Sequence, residues 1–100
     1  MAVVFLSITP LGTGTPSVSR YVAGVEEILR ATKLTHQLTA MGTIIEGDLD
    51  EILAVVRRMH EHPFTQGAVR VSTFLKIDDR RDKEHTIAGK MRSVEDRLRR

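Results

Sequence analysis

His36-Gln37-Leu38-Thr39-Ala40-Met41-Gly42-Thr43-Ile44-Ile45-Glu46-Gly47-Asp48-Leu49-Asp50-Glu51 is the stretch that decides the fold. His36 to Met41 reads as one strand and Gly42 as a tight turn. Thr43 to Glu46 is the returning strand of a hairpin. Gly47 ends it. Asp48 can cap a following helix, with Glu51 three residues on in the manner of a capping box. Upstream, Tyr21, Val22, Val25, Ile28 and Leu29 recur at helical spacing, which predicts a helix over about 18–32 with Ser17 as its cap. Before it, Val3 to Thr9 is a β-rich run that stops at Pro10, and 10–16 is turn chemistry. Downstream, Ile52, Leu53, Val56, Met59 and His60 form the inner stripe of a second helix, stopped by Pro63 and Gly67. Val69 to Ile77 is a fourth strand. The order β-α-β-β-α-β predicts a ferredoxin-like α+β domain: a four-stranded antiparallel sheet with two helices on one face.

The chain continues past that unit. Ile87, Met91, Val94 and Leu98 form an apolar stripe, which predicts a C-terminal helix over about 86–99. Gly89 inside it costs about 1 kcal/mol against Ala, so this helix calls for a packing partner. Residues 1–100 read as one domain with this helical extension.

Composition bounds the chemistry. There is no Cys, which excludes disulfides, thiolate metal sites and Cys nucleophiles and fits a reducing compartment. Fifteen basic residues face 13 acidic ones. Residues 1–77 balance at seven each, and the excess lies in 78–100, where the charges alternate instead of forming a single-sign block. Nucleic-acid binding finds no support there. No segment reaches the roughly 20 apolar residues of a membrane helix. The run from Ala2 to Ile8 has no charged leader and is too short for a signal peptide. A cytoplasmic protein without membrane contact is expected.

Strand alternation sorts the sheet residues. Val4, Leu6 and Ile8 should face the helices, with Val69, Val71, Thr73, Leu75 and Ile77 from strand four. The open face then carries Phe5, Ser7, Thr9, Gln37, Thr39, Met41, Ile44, Glu46, Arg70, Ser72, Phe74 and Lys76. Large apolar groups beside charges suit burial against another subunit, and a small polar ligand can be enclosed in the same place.

Three motifs carry a resemblance. They are SITPLGTG at 7–14, MGTIIEGDLDE at 41–51 and KIDDRRDKEHT at 76–86, the last followed by GK and SVE. Together they resemble the thiamine-binding protein family of the YkoF-like superfamily, over almost the full length. The resemblance implies a ferredoxin-like fold and a homotetramer built as a dimer of dimers. It also implies cytoplasmic binding of thiamine or its hydroxymethylpyrimidine part, in salvage or trafficking.

The site residues are chosen on the sheet-face argument. Glu46 can accept from a protonated ring nitrogen or an exocyclic amine of an aminopyrimidine and attract a thiazolium cation. The competing reading is an ion pair with Lys76 or Arg70. Phe5 and Phe74 can stack on a flat heterocycle or simply fill an interface. Ser7, Thr39 and Thr43 can supply hydroxyls or serve the sheet alone. Lys76 completes the expected ligand set. Gly12-Thr13-Gly14 offers backbone amides to a phosphate but lacks the lysine and spacing of a P-loop. Asp78 to Lys83 reads as ion pairs linking subunits, because adjacent aspartates on a strand point apart. His36, His60, His62 and His85 show no metal-ligand spacing, and His60 reads as half-buried on its helix.

No catalytic residue, metal or cofactor is expected, for no nucleophile has an evident base and orienter. Two rivals stay open. One is an enzyme or stress-linked factor of unknown chemistry, which would need an acid–base pair where only Glu46 stands. The other is RNA binding through the sheet, for which Thr43-Ile44-Ile45-Glu46 lacks the aromatic pair and basic residues.

Overall fold

A computed structural model describes residues 1–15 and 18–99. The elements are β1 (Ala2–Leu11), α1 (Ser19–Arg30), β2 (Thr35–Leu38), β3 (Thr43–Gly47), α2 (Leu49–Thr65), β4 (Arg70–Asp79) and α3 (Ile87–Leu98). The strands form one antiparallel sheet in the order β2-β3-β1-β4. This is the ferredoxin-like α+β arrangement, with α3 added.

The core lies between the sheet and the helices α1 and α2. Ala2, Val4 and Leu6 of β1 and Ile45 of β3 pack there against Val25 and Leu29 of α1 and Ile52, Val55, Val56 and Met59 of α2. Burying a side chain such as Leu29 or Ile45 contributes roughly 1.5–3 kcal/mol. Val4 pairs with Ile45 and Ile77, and Leu6 with Thr43 and Leu75, so one row of alternation serves all three strands.

Several boundaries differ from the sequence reading, each for a local reason. β1 runs through Pro10 to Leu11, because β3 pairs with it only as far as Leu6. Beyond that point β1 has a strand on one side alone, where a proline is tolerated. β2 ends at Leu38 and not at Met41. Thr39 turns the chain: its backbone N–H donates to Gly42 O at 2.8 Å, and its hydroxyl donates to the same oxygen at 2.7 Å. That hydroxyl also accepts from Met41 N and Gly42 N. Such side-chain bonds compete with the ladder, so Thr39 and Met41 leave the sheet face assigned to them. Gln37 stays on the open face, opposite Ile44.

In α2, Asp48 caps the helix through Glu51 N, as expected. Pro63 sits inside the last turn and does not stop it; Gly67, with φ +98°, follows the end. Val55 is buried in the place given to Leu53, which is 39% exposed. His60 is half-buried and bonds Thr73 Oγ1 at 2.6 Å. β4 starts at Arg70, leaving Val69 outside the sheet and 85% exposed. The expected cap Ser17 lies outside the described residues. α3 is capped by Thr86, whose hydroxyl accepts from Gly89 N at 2.9 Å. α3 approaches the sheet from the open side, with Ile87 and Met91 beside Val3, Phe5 and Ile44. No α3 residue is buried.

Candidate ligand-binding cavity

The helical stripe that seals α1 against the sheet contains one charged residue. Tyr21, Val25, Glu26 and Leu29 are the buried residues of the helix. Glu26 is 7% exposed, and Thr43, at the start of β3, is 5% exposed. The Thr43 hydroxyl donates to Glu26 Oε1. Among the described residues, no cation forms an ion pair with Glu26. A carboxylate held this deep loses its water and gains one neutral hydrogen bond in return, an arrangement that favours an incoming donor.

Beside it lies a cavity of about 200 Å³ between α1, the end of β1 and the Thr39–Gly42 turn. Val22 and Met59 give apolar walls, while Glu26, Thr43 and Thr39 give polar ones. The cavity opens where β1 outruns β3: Ser7 to Thr9 line it and have no β3 partner. The turn is pressed onto β1 there. A Cβ on Gly42 would lie 2.6 Å from the Leu6 carbonyl oxygen and 2.6 Å from the Phe5 ring.

The seven expected ligand residues fall into two places. Ser7, Thr39 and Thr43 line the cavity. Thr43 faces the helices, in the row of Leu6. Thr39 spends its hydroxyl proton inside the turn. Glu46, Phe5, Phe74 and Lys76 lie on the open face and do not line the cavity, although the Phe5 ring abuts Gly42 of the turn that does. Phe5 and Phe74 meet edge to face, with centroids 6.1 Å apart and planes at 65°. Glu46 stands in the row of Val3 and Phe74 in that of Ser7. Four residues of strand separate those rows, about 13 Å. One small ring cannot touch both. The ion pair considered for Glu46 is not formed either: Arg70 is at the far end of β4, opposite Leu11, and Lys76 is two strands away in the row of Phe5.

Glu26 is the residue that sequence reasoning passed over. Its signal was present: it lies four residues after Val22 and three before Leu29, inside an otherwise apolar stripe.

The charged run after β4 folds onto itself. Arg80 bonds Asp82 at 2.6 Å and Arg81 bonds Asp79 at 2.8 Å. Lys90 of α3 bonds Asp78 at 2.6 Å. His85 Nε2 is buried 3.2 Å from the same Asp78 oxygen, off the line of a hydrogen bond, and has no hydrogen-bond partner among the described residues. The Lys90 bond first, and His85 second, hold the Asp78 carboxyl below its usual range. The described residues contain no cluster of three metal-ligating side chains and no helix long and apolar enough to cross a membrane.

The chain has close relatives. The UPF0045 protein YqgV of Bacillus subtilis is 48% identical over 102 residues, covering 98% of each chain. The crystal structure of hypothetical protein MJ1052 from Methanocaldococcus jannaschii superposes with a TM-score of 0.85 at 42% identity, covering 93% of this chain and 94% of that one. A Thermotoga maritima structure, provisionally named for thiamine biosynthesis or salvage, shares the fold at TM-score 0.76 and 20% identity, covering 93% of this chain and 97% of that one. The family model described as thiamine-binding protein matches residues 4–95. This protein therefore belongs to the thiamine-binding protein family.

Proposed function

We propose that this protein binds thiamine without turning it over, with the aminopyrimidine ring in the cavity beside Glu26. The observation that carries this reading is the buried Glu26 carboxylate, whose one hydrogen-bond partner among the described residues is a neutral hydroxyl. An aminopyrimidine offers an exocyclic amine and a ring nitrogen that can be protonated. A carboxylate accepts from both at once, and such charge-assisted bonds are the strong ones. Thr43 holds one carboxylate oxygen in place before the ligand arrives. At about 200 Å³ the cavity is below the roughly 300–1,000 Å³ usual for larger ligands, so it suits one ring. The cationic thiazolium then lies toward the mouth, beside the turn, where the same carboxylate attracts it.

The setting that goes with this role is a cytoplasmic homotetramer built as a dimer of dimers, serving salvage or trafficking. Two features support assembly: Phe74 on the open face is 59% exposed, and the α3 stripe leaves Met91 58% exposed with Val94 and Leu98 also open. Surfaces of this kind are commonly covered by other copies.

Calorimetric titration with thiamine, hydroxymethylpyrimidine and thiamine phosphates tests the reading. Glu26→Gln keeps the size and removes the charge. A bond to a charged group contributes roughly 1.5–3 kcal/mol, so affinity should fall about 10- to 100-fold. If Glu46→Gln takes that loss instead, the ligand carboxylate is on the open face. If no thiamine compound binds the unaltered protein, the reading fails.

A further inference from the structure

We propose that the outer edge of β4 is a docking surface for a second copy of this chain, whose own β4 adds to it antiparallel about a two-fold axis at Phe74. This names one contact within the assembly proposed above. It rests on that part of the reading and not on thiamine.

β4 ends the sheet, with β1 on one side and no strand on the other. It pairs with β1 residue for residue over all ten positions, without a bulge, and contains no proline. Every second residue therefore turns its N–H and C=O outward. A long, regular edge of this kind is a template for another strand unless something blunts it. The opposite edge, β2, has only four residues. Apolar surface accompanies the free edge: Phe74 is 59% exposed and Ile77 is 44% exposed.

The sequence of β4 selects its own copy and one register. About an axis at Phe74, each residue meets the one at the mirrored position. Phe74 meets Phe74, Ser72 meets Lys76 and Arg70 meets Asp78, all on the open face. On the helix face Val71 meets Ile77. Arg70 forms no ion pair among the described residues. Asp78 gives Oδ2 to both Lys90 and His85, which leaves Oδ1 for the guanidinium. The pair forms twice, once on each side of the axis, and opposite charges directly across a ladder are stabilising. Other registers lose this match. A slip of one residue sets one face of the first copy against the other face of the second. Shifting the pairing by two opposes Arg70 to Lys76 in one direction and carries Arg70 past the strand end at Asp79 in the other. The product is one eight-stranded sheet made from two four-stranded ones, and the contact does not use the α3 stripe.

The chain has no Cys, so introduced ones report the register directly. Opposed residues lie about 4.5–5.5 Å apart at Cα, within disulfide reach, whereas residues displaced by four along the strand lie about 13 Å apart. Under mild oxidation of the full chain, Phe74→Cys should cross-link to a covalent dimer at least about ten-fold faster than Ser72→Cys or Lys76→Cys alone. Ser72→Cys combined with Lys76→Cys should restore fast cross-linking. In light scattering over a dilution series, Arg70→Glu should raise the dimer dissociation constant about ten-fold, and Arg70→Lys should not. All four side chains are exposed, and circular dichroism checks that each variant folds. A native protein that is monomeric at every concentration would overturn the assembly and this contact together. An assembled protein in which Phe74→Cys cross-links no faster than Ser72→Cys, or in which Arg70→Glu changes nothing, would overturn this contact alone.

Discussion

The Thr43 hydroxyl donates to the Glu26 carboxylate and so ties the first residue of β3 to α1 across 17 positions of sequence. Both side chains are buried. The bond fixes the carboxylate at the cavity wall, but it does not neutralise it. Stability and binding therefore pull in opposite directions at this pair.

Thr43→Val keeps the shape and removes the donor. It leaves a buried carboxylate unpartnered, at a cost of about 1–3 kcal/mol. The urea midpoint should fall with the slope unchanged. Glu26→Gln removes the buried charge while its amide oxygen can still accept from Thr43, so that variant should be at least as stable as the native protein. Function held against stability in this way is common at binding sites. If Thr43→Val unfolds at the native midpoint, Glu26 draws its support from water and the bond does not preorganise the site.

The fold was legible because hydrophobic period changes cleanly along the chain. Val4, Leu6 and Ile8 alternate, Tyr21, Val25 and Leu29 follow the helix, and Asp48 with Glu51 marks where α2 begins. The site was less legible, for two physical reasons. The Thr39–Gly42 turn is set by one hydroxyl bonding three backbone groups, which no periodicity reveals. Glu26 was hidden because a charged residue is ordinarily read as solvent-facing, whereas here a partner 17 residues away supports it in the interior. Alternation placed Phe5, Phe74 and Lys76 on the open face correctly, but it says nothing about how far apart in rows they stand.

Gly42→Ala tests the close approach that shapes the cavity. The new Cβ would meet the Leu6 carbonyl oxygen, which is backbone, so the turn itself must move. Overpacking of this kind costs about 1–3 kcal/mol. Thiamine affinity should fall along with stability, because Thr39 and Gly42 form one wall. Full affinity in a destabilised Gly42→Ala would separate the turn from the ligand.

Acid should loosen α3 before it harms the core. The Asp78 carboxyl is held below its ordinary value near 3.8, first by Lys90 and then by His85. A depressed carboxyl stabilises the folded form above the unfolded value, and the contribution is lost as pH falls through the folded one. The anchor should therefore be intact at neutral pH and fail only below about 3.8. Asp78→Asn should remove it at every pH. Hydrogen exchange of α3 amides measures this, and salt should reproduce part of the effect because the pair is exposed. Protection that stays constant in Asp78→Asn would show that Ile87 and Met91 alone hold the helix.

Truncation after Arg81 removes α3 and the segment that anchors it. None of the α3 side chains is buried, and the core of β1, β3, α1 and α2 is complete without them. The shortened chain should unfold cooperatively, with stability reduced by about 1–3 kcal/mol as Val3, Phe5 and Ile44 lose their cover. Thiamine affinity should hold near the native value, because the Glu26 cavity is on the other side of the sheet. The assembly should fall to a lower order, since the exposed stripe at Met91, Val94 and Leu98 is gone. Light scattering reads the mass, urea the stability and calorimetry the affinity on one preparation. An unchanged assembly mass would move the subunit contacts to the open face around Phe74. Lost thiamine affinity in a folded, truncated chain would mean that α3 reaches the site of another copy.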